Sequence, residues 1–412
     1  MLFSNLDELS KSEYGKIINR SKADIKRAAP DARKIVEDVR KSGDSALRKH
    51  TKKFDRADIS DFRVSDAEFE EARQGVGAEV VEALKNAKKN IEEFHRCQKR
   101  HLKDSWSYKK GGAKLGQIVR PVESVGCYVP GGRASYPSTV LMAVVPAMVA
   151  GVGRIAVCTP PQKSGKVNGA VLAACDIAGV REVYKAGGAQ AIAALAFGTE
   201  SITKVDKIIG PGNVYVTAAK RCVSDEVAID LPAGPSEVLI IADGSANPEF
   251  VALDMAAQAE HDPHACAVLV TTSKELAGAV ENETKSINGA ILVANSVGDA
   301  INFSNEYAPE HLQIITENPG KVLEKIKNAG SVFIGNYTPV ACGDYASGTN
   351  HILPTGGFAR AYSGLSIFDF VKLIPVQKFD RAALDRLSGT VIALAEAEGL
   401  EAHAKSVKRR TE

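Results

Sequence analysis

The 412-residue chain has no CxxC cysteine pair, and its seven cysteines are scattered and odd in number. This argues against a disulfide framework and against a thiolate zinc site. We therefore expect reduced thiols that mostly lie in the core, and a cytoplasmic protein. A catalytic thiol stays open at Cys127 or Cys342, although neither has a neighbouring base in the sequence.

The chain also lacks an excess of one charge and a long apolar run. Lys and Arg number 52 against 50 Asp and Glu, a net charge of +2, which leaves no electrostatic footprint for nucleic acid. The longest apolar stretch, 140–152, contains Pro146 and is shorter than the about 20 residues of a membrane span. Asp7 and Glu8 stand where a secretory signal would be apolar, so we expect no export.

The order of apolar and polar residues predicts an α/β protein. Before residue 110, apolar spacing of three and four at 32–42 and 66–96 predicts amphipathic helices. Beyond residue 115, short apolar runs alternate with helical stretches, which is typical of parallel sheets. The predicted strands are 154–159, 182–186, 207–209, 227–230, 238–242 and 266–271, and the predicted helices are 168–178, 189–197, 214–222 and 247–260. Helical periodicity returns at 382–387 and 391–397.

One nucleotide-binding motif fails on its context. Residues 151–156 read GVGRIA and fit GxGxxA, but a dinucleotide fingerprint must follow a strand and open a helix. Here a predicted helix precedes the glycines and a strand follows them. We interpret Gly151 and Gly153 as a helix stop. The glycine turns at 131–132 and 210–212 remain candidate phosphate contacts, since each precedes a helix.

Four further segments carry side chains suited to metal binding or proton transfer. Gln258 and His261 are three residues apart at the end of a predicted helix and share a face that suits a borderline metal. His261 and His264 form a competing HxxH pair, which Pro263 would disturb. The adjacent Glu310 and His311 suit two separate proton transfers, although the pair also fits a surface turn before a strand at 312–315. The other two segments are the polar loop 343–351 and the C-terminal stretch 398–403.

Together, these segments closely resemble the histidinol dehydrogenase family, from about residue 25 to residue 407. Seven ordered motifs carry the resemblance: YVPGGRASYPSTVLM from Tyr128, GPGNVYVTAAK from Gly210, DLPAGPSEVL from Asp230, QAEHDP from Gln258, APEHL from Ala308, GDYASGTNHILPT from Gly343 and AEGLEAH from Ala397. The resemblance implies the last steps of histidine biosynthesis. These are a zinc- and NAD-dependent, four-electron oxidation of L-histidinol through L-histidinal to L-histidine.

The resemblance further implies two incomplete Rossmann-like domains with parallel-rich sheets and small helical N- and C-terminal appendages. Residues 23–127 and 238–365 would form the main α/β substrate and zinc domain with the N-terminal helices. Residues 128–237 would form an inserted NAD-binding domain. Residues 1–22 and 366–412 would be small helical dimerisation and tail segments.

The resemblance also implies roles for individual residues. The zinc ligands, one Zn2+ per subunit, would be Gln258, His261, Asp344 and His403, which also lie against the substrate. Glu310 and His311 would be catalytic, with His311 contacting the substrate. The remaining substrate contacts would be Ser236, His351 and Glu398, and the NAD+ contacts would be Tyr128, Gln190 and Asn213. The family forms a homodimer in which the C-terminal tail completes the partner's site; no nucleic acid or membrane partner is expected.

Three other functions stay open. A sister zinc- and NAD-dependent dehydrogenase could act on another small alcohol such as a sulfonated diol, although Glu398 and His351 do not suit an anionic substrate. A zinc hydrolase could use Glu310 to activate water, although the glycine turns fit a nucleotide better. A non-catalytic metal-binding protein would leave the Glu310–His311 pair without a purpose.

Overall fold

The structure is a computed structural model that describes residues 1–20, 22–131, 135–231 and 234–412, with the side chains of 22–26 outside the description. Parts of two motifs, 132–134 and 232–233, lie outside the described residues. The chain divides into two compact units. Unit 1 comprises Met1–Cys97 and Val122–Phe370, and unit 2 comprises Gln98–Pro121 and Val371–Glu412. In the described ranges, every helix is too short or too polar to cross a membrane.

The described elements alternate between strand and helix along most of the chain. The strands are β1 (Leu2–Asn5), β2 (Ser105–Lys110), β3 (Ala113–Pro121), β4 (Ser124–Tyr128), β5 (Arg154–Thr159), β6 (Val183–Lys185), β7 (Lys207–Ile209), β8 (Ala228–Ile229), β9 (Glu237–Ala242), β10 (Cys266–Thr271), β11 (Gly289–Val293), β12 (His311–Ile315), β13 (Ser331–Ile334) and β14 (Val371–Phe379). The helices are α1 (Lys11–Ile18), α2 (Lys22–Phe54), α3 (Asp66–Gly75), α4 (Ala78–His101), α5 (Pro137–Ala150), α6 (Gly169–Ala178), α7 (Gly188–Phe197), α8 (Val214–Cys222), α9 (Pro248–Glu260), α10 (Lys274–Thr284), α11 (Val297–Tyr307), α12 (Pro319–Leu323), α13 (Val340–Tyr345), α14 (Arg381–Ala397) and α15 (Glu401–Thr411).

Unit 1 contains two parallel sheets. The larger has the strand order β1-β11-β10-β9-β12-β13, and every neighbouring pair in it is parallel. Its central strands are apolar on both faces: in β9 and β10, nearly every residue is buried. This is expected because crossover helices cover both faces of a parallel sheet. The two core clusters of this sheet lie on its opposite faces.

The second sheet has the order β6-β5-β4-β7-β8 and is also parallel throughout. The chain first moves from β4 outward to β5 and β6, then returns to place β7 on the other side of β4. The strand order therefore reverses between β4 and β7. In open α/β sheets, such a reversal opens a crevice at the carboxyl ends of the strands, where ligands bind.

Unit 2 contains an antiparallel sheet, β14-β3-β2, as well as the helices α14 and α15, which pack against each other. Several apolar side chains of this unit are exposed, among them Trp106, Tyr108, Leu373, Val376 and Leu394.

The structure confirms the α/β class and the predicted strands and helices from residue 154 to residue 271, with shifts of at most one residue at each end. Gly151 ends α5 with a left-handed φ of 98° and β5 follows, which confirms the helix stop. The helical stretch predicted at 66–96 is divided between α3 and α4. The predicted helices 382–387 and 391–397 form one helix, α14. The antiparallel sheet of unit 2 was not predicted, and a strand, β1, precedes the first helix. The predicted domain boundaries remain a prediction.

Candidate functional site

The candidate catalytic pair lies at the amino edge of the six-stranded sheet. β9 and β12 are neighbours, with His311 opposite Val238, so both strands begin side by side. Glu310 is 4% exposed and His311 2%, which makes the surface-turn interpretation wrong. Ala308 ends α11 with a left-handed φ of 50°, and this unusual conformation for alanine directs the chain into the sheet.

The His311 ring is fixed by one hydrogen bond. Its Nδ1 lies 3.1 Å from the Glu237 carbonyl oxygen. Because a carbonyl can only accept, Nδ1 carries the proton and Nε2 keeps its lone pair. Burial lowers the pKa of His311, while the nearby Asp344 charge acts in the opposite direction. The result is a neutral imidazole whose Nε2 can accept a proton.

Glu310 lies beside it. Its Oε2 accepts the Glu237 backbone N–H at 2.8 Å and lies 3.6 Å from His311 Nδ1. Burial raises the pKa of Glu310 well above its ordinary value; the Glu237 and Asp344 charges raise it further, whereas the Glu237 N–H and the Ser236 hydroxyl lower it. A carboxylate with a raised pKa is a stronger base, as proton abstraction from water requires.

Asp344 connects this pair to the first histidine cluster. Its Oδ1 is 3.7 Å from His311 Nε2, and its Oδ2 is 3.7 Å from His261 Nε2. Asp344 and Gly343 lie in α13, so the predicted loop 343–351 begins as helix. A Cβ at Gly343 would lie 2.6 Å from the Phe333 ring, so the absence of a side chain allows α13 to approach the sheet closely.

Gln258 is 2% exposed, and neither its amide oxygen nor its amide nitrogen has a hydrogen-bond partner among the described residues. Unpaired buried amide groups are costly, so they indicate a missing ligand. His261 follows as the C-cap of α9 and faces Asp344. His264 is exposed and lines a cavity with Lys16 and Cys266. The contact to Asp344 comes from His261.

His351 is held by two hydrogen bonds within the protein. Its Nδ1 donates to the Asp344 carbonyl oxygen at 2.8 Å, and its Nε2 lies 3.1 Å from the Thr139 hydroxyl. Burial lowers the pKa of His351, which favours this neutral form. In the next residue, the Asn350 amide donates to the Met142 carbonyl oxygen at 2.7 Å. These contacts tie the 343–351 segment to α5, the helix that follows β4.

The three predicted cofactor residues lie at the carboxyl edge of the five-stranded sheet. Tyr128 ends β4, Gln190 lies in the first turn of α7 after β6, and Asn213 caps α8 after β7. The Tyr128 hydroxyl accepts the Gly188 N–H at 3.1 Å, and burial raises its pKa. A Cβ at Gly210, where φ is +118°, would overlap the Tyr128 carbonyl. The strand-order reversal therefore places Tyr128 and Asn213 after neighbouring strands at one edge of the sheet.

The remaining predicted site residues are Ser236, Glu398 and His403. Ser236 directly precedes β9, next to the catalytic pair. Glu398 caps the C-terminus of α14 and His403 lies in α15; both are exposed residues of unit 2. Within the described ranges, no three His, Cys, Asp or Glu side chains converge as a metal site. The predicted set also contains the Gln258 amide and His403 of unit 2.

All seven cysteines are free. Cys127, Cys158 and Cys175 are buried, and Cys222 and Cys266 are partly buried and pack against core clusters. Most of the thiols therefore lie in or against the core, as expected. Burial raises the pKa of the Cys127 thiol, which argues against its use as a nucleophile. Cys342 is exposed.

Sequence reasoning missed one charged group at this site, the buried Glu237, which bonds to both members of the catalytic pair. The available signal was a single carboxylate at the head of an apolar run, EVLIIA. Its partner Arg20 lies far away in the sequence and gave no signal.

Comparisons with known proteins identify the family. Residues 18–411 match the family model for histidinol dehydrogenase. The chain is 54% identical to histidinol dehydrogenase from Methanocaldococcus jannaschii, covering 100% of this chain and 99% of that protein. It is 51% identical to the enzyme from Methanosarcina barkeri, covering 100% and 98%. The crystal structure of histidinol dehydrogenase from Elizabethkingia anophelis superimposes with a TM-score of 0.91 at 42% identity, covering 100% and 98%. The chain therefore belongs to the histidinol dehydrogenase family of oxidoreductases, which act in histidine biosynthesis.

Proposed function

We propose that this protein oxidises L-histidinol through L-histidinal to L-histidine and requires zinc and NAD+. The observation that carries the proposal is the buried His311, whose Nδ1 is hydrogen-bonded to the Glu237 carbonyl oxygen so that Nε2 can accept a proton, beside the buried Glu310 carboxylate. Two successive oxidations need a base for each alcohol proton and a base for the water that enters between them. The pair supplies both.

The carboxyl edge of the five-stranded sheet supports NAD+ binding. Tyr128, Gln190 and Asn213 lie there, and the Asn213 side chain accepts the N–H groups of Tyr215 and Val216 at the start of α8. Helix N-termini at such a crevice suit the pyrophosphate of a dinucleotide. The His351–Thr139 hydrogen bond ties the substrate side to α5, which starts beyond β4. NAD+ supplies the hydride acceptor for both oxidations.

The donor set supports zinc. Gln258, with its unpaired amide, and the facing pair His261 and Asp344 offer oxygen and nitrogen atoms, a mixture that zinc accepts. We propose His403 of the C-terminal tail as the fourth ligand. When bound there, zinc would supply a template for the substrate's imidazole and amino nitrogens.

The proton transfers follow from the two side chains. His311 Nε2 takes the hydroxyl proton of histidinol while the carbon loses hydride, which yields the aldehyde. Glu310 takes a proton from water as the oxygen adds to the aldehyde carbon, and protonated His311 returns its proton to the former carbonyl oxygen. This yields the hydrate and restores neutral His311. His311 then takes a hydroxyl proton of the hydrate during the second hydride loss, and the carboxylic acid results.

The other functions are less well supported. The sister dehydrogenase for a sulfonated diol is not favoured, because the chain is 54% identical to a histidinol dehydrogenase over its whole length. A hydrolase or a non-catalytic metal-binding protein does not need a nucleotide. The strand-order reversal and the helix N-termini beside it would then have no function.

We further propose a homodimer in which the tail residues Glu398 and His403 complete the partner's site. The exposed apolar side chains of unit 2, on β2, β14 and α14, support a protein interface. The seven free cysteines fit a reducing compartment, so we propose a cytoplasmic location.

The direct test is an assay with L-histidinol and NAD+. We expect about two NADH for each histidine formed, because two hydrides leave the same carbon. One NADH per substrate with free aldehyde accumulating would contradict the proposal. Turnover of a sulfonated diol in preference to histidinol would support the sister dehydrogenase instead.

Replacing His261 tests the metal site. We expect His261→Asn to lower zinc content and activity together, because it removes a nitrogen donor facing Asp344. The matched control is His264→Asn, at an exposed position three residues away. It should retain both the zinc content and the activity of the wild type. Normal zinc content in His261→Asn, together with metal loss in His264→Asn, would show that His264 is the ligand instead of His261. Metal content is measured by atomic absorption on dialysed protein.

A further inference from the structure

A buried ion pair lies behind the catalytic pair. The Glu237 carboxylate receives two hydrogen bonds from the Arg20 guanidinium, one from Nε and one from an Nη. The Arg20 and Glu237 side chains are 8% and 1% exposed. Neither of the proposed proton transfers uses these two residues.

Glu237 contacts the catalytic pair through three different groups. Its carboxylate accepts the Glu310 N–H at 3.3 Å, its N–H donates to the Glu310 carboxylate at 2.8 Å, and its carbonyl oxygen accepts from His311 Nδ1 at 3.1 Å. The carboxylate also accepts the Gly356 N–H at 3.1 Å. With the two bonds from Arg20, the carboxylate accepts four hydrogen bonds, which fix its position.

Arg20 ties this arrangement to a second element. Its guanidinium carbon lies 3.2 Å from the centre of the Tyr307 ring, and its Nη1 donates to the Ile18 carbonyl oxygen at 3.1 Å. Tyr307 is the last residue of α11, three residues before Glu310. Arg20 therefore touches both the carboxylate that binds the pair and the helix that leads into it.

We infer that Glu237 is a positioning residue for the reaction and that Arg20 acts through it. The inference rests on the roles proposed above for Glu310 and His311. Glu237 holds the main chain at the start of β12, so that the Glu310 carboxylate and His311 Nε2 keep their relative geometry. The geometry also explains why a carboxylate stands at the head of an otherwise apolar strand.

The experiment compares Glu237→Gln, Arg20→Met and the double variant of the full-length, zinc-loaded protein. We measure kcat and KM for histidinol, zinc content and the thermal unfolding midpoint. Glu237→Gln should lower kcat by about 10- to 100-fold, as small misplacements of catalytic groups do, with KM and zinc content within about twofold of wild type. Arg20→Met should lower the midpoint markedly, because it leaves a buried carboxylate unpaired.

The double variant separates positioning from a merely structural role. Removing both charges should raise the midpoint above that of Arg20→Met, while kcat stays low because the carboxylate is still missing. If the double variant recovers kcat as well as the midpoint, the inference is overturned. An unchanged kcat in Glu237→Gln would also overturn it.

The matched control is Glu182→Gln, which breaks a bidentate pair with Arg154 at the start of β5 and should keep the wild-type kcat. Absence of histidinol turnover in the wild type would instead refute the proposed function.

Discussion

Replacing Glu310 by glutamine is expected to stop the second oxidation and to spare the first. Water enters only after the alcohol has become an aldehyde, and an amide cannot accept its proton. Oxidation of added histidinal should fall by about 10²–10⁴, the usual effect of losing a general base. The first hydride transfer from histidinol should stay close to the wild-type rate, because His311 is intact.

The measurement is single-turnover NADH formation from histidinol beside steady-state oxidation of histidinal, on zinc-replete protein. Glutamine retains an oxygen that can accept the Glu237 N–H, so the fold should persist. Glu317→Gln is the matched control: it makes the same change at an exposed residue just beyond the opposite end of β12 and should leave both rates unchanged. Equal losses in the two assays for Glu310→Gln would remove Glu310 from the water-activating role.

His311→Asn should impair both half-reactions, since the same base serves each oxidation. We expect a loss of about 10²–10⁴ in each rate. Asparagine can still donate to the Glu237 carbonyl oxygen, so the hydrogen bond from side chain 311 to the start of β9 should persist. What disappears is the Nε2 lone pair.

Both rates for His311→Asn are compared with its zinc content and its thermal midpoint. Zinc content should remain normal, because His311 is not among the proposed ligands. Histidinal oxidation at the full rate would show that the two steps use different bases. A parallel loss of zinc would show that His311 belongs to the metal site.

Much of the secondary structure was predictable because its signals are local. The strand 266–271 and the helix 247–260 are each defined by a few adjacent apolar residues and by flanking turn formers. Gly151 could be identified as a helix stop from its neighbours alone, since a left-handed C-cap needs only glycine after an apolar helix. The order of strands and helices then indicated parallel sheets.

The local sequence pattern did not predict burial or contacts where a residue's surroundings come from distant segments of the chain. The sequence permitted a surface turn at Glu310 and His311, yet both side chains are buried. Their burial depends on β9 lying beside β12, a pairing between segments more than 70 residues apart. Likewise, the choice between His261 and His264 depended on Asp344, which only the packing of α13 brings near His261.

The sequence by itself determined the family and the α/β class, because motifs and periodicity are properties of adjacent residues. Tertiary structure alone decided that His311 has a free Nε2, that the Gln258 amide is unpaired, and that Arg20 meets Glu237 across 217 positions of the chain. Hydrogen bonding and desolvation depend on which groups surround a side chain in space. In a parallel sheet, those groups come from strands that the chain reaches only after long crossover connections.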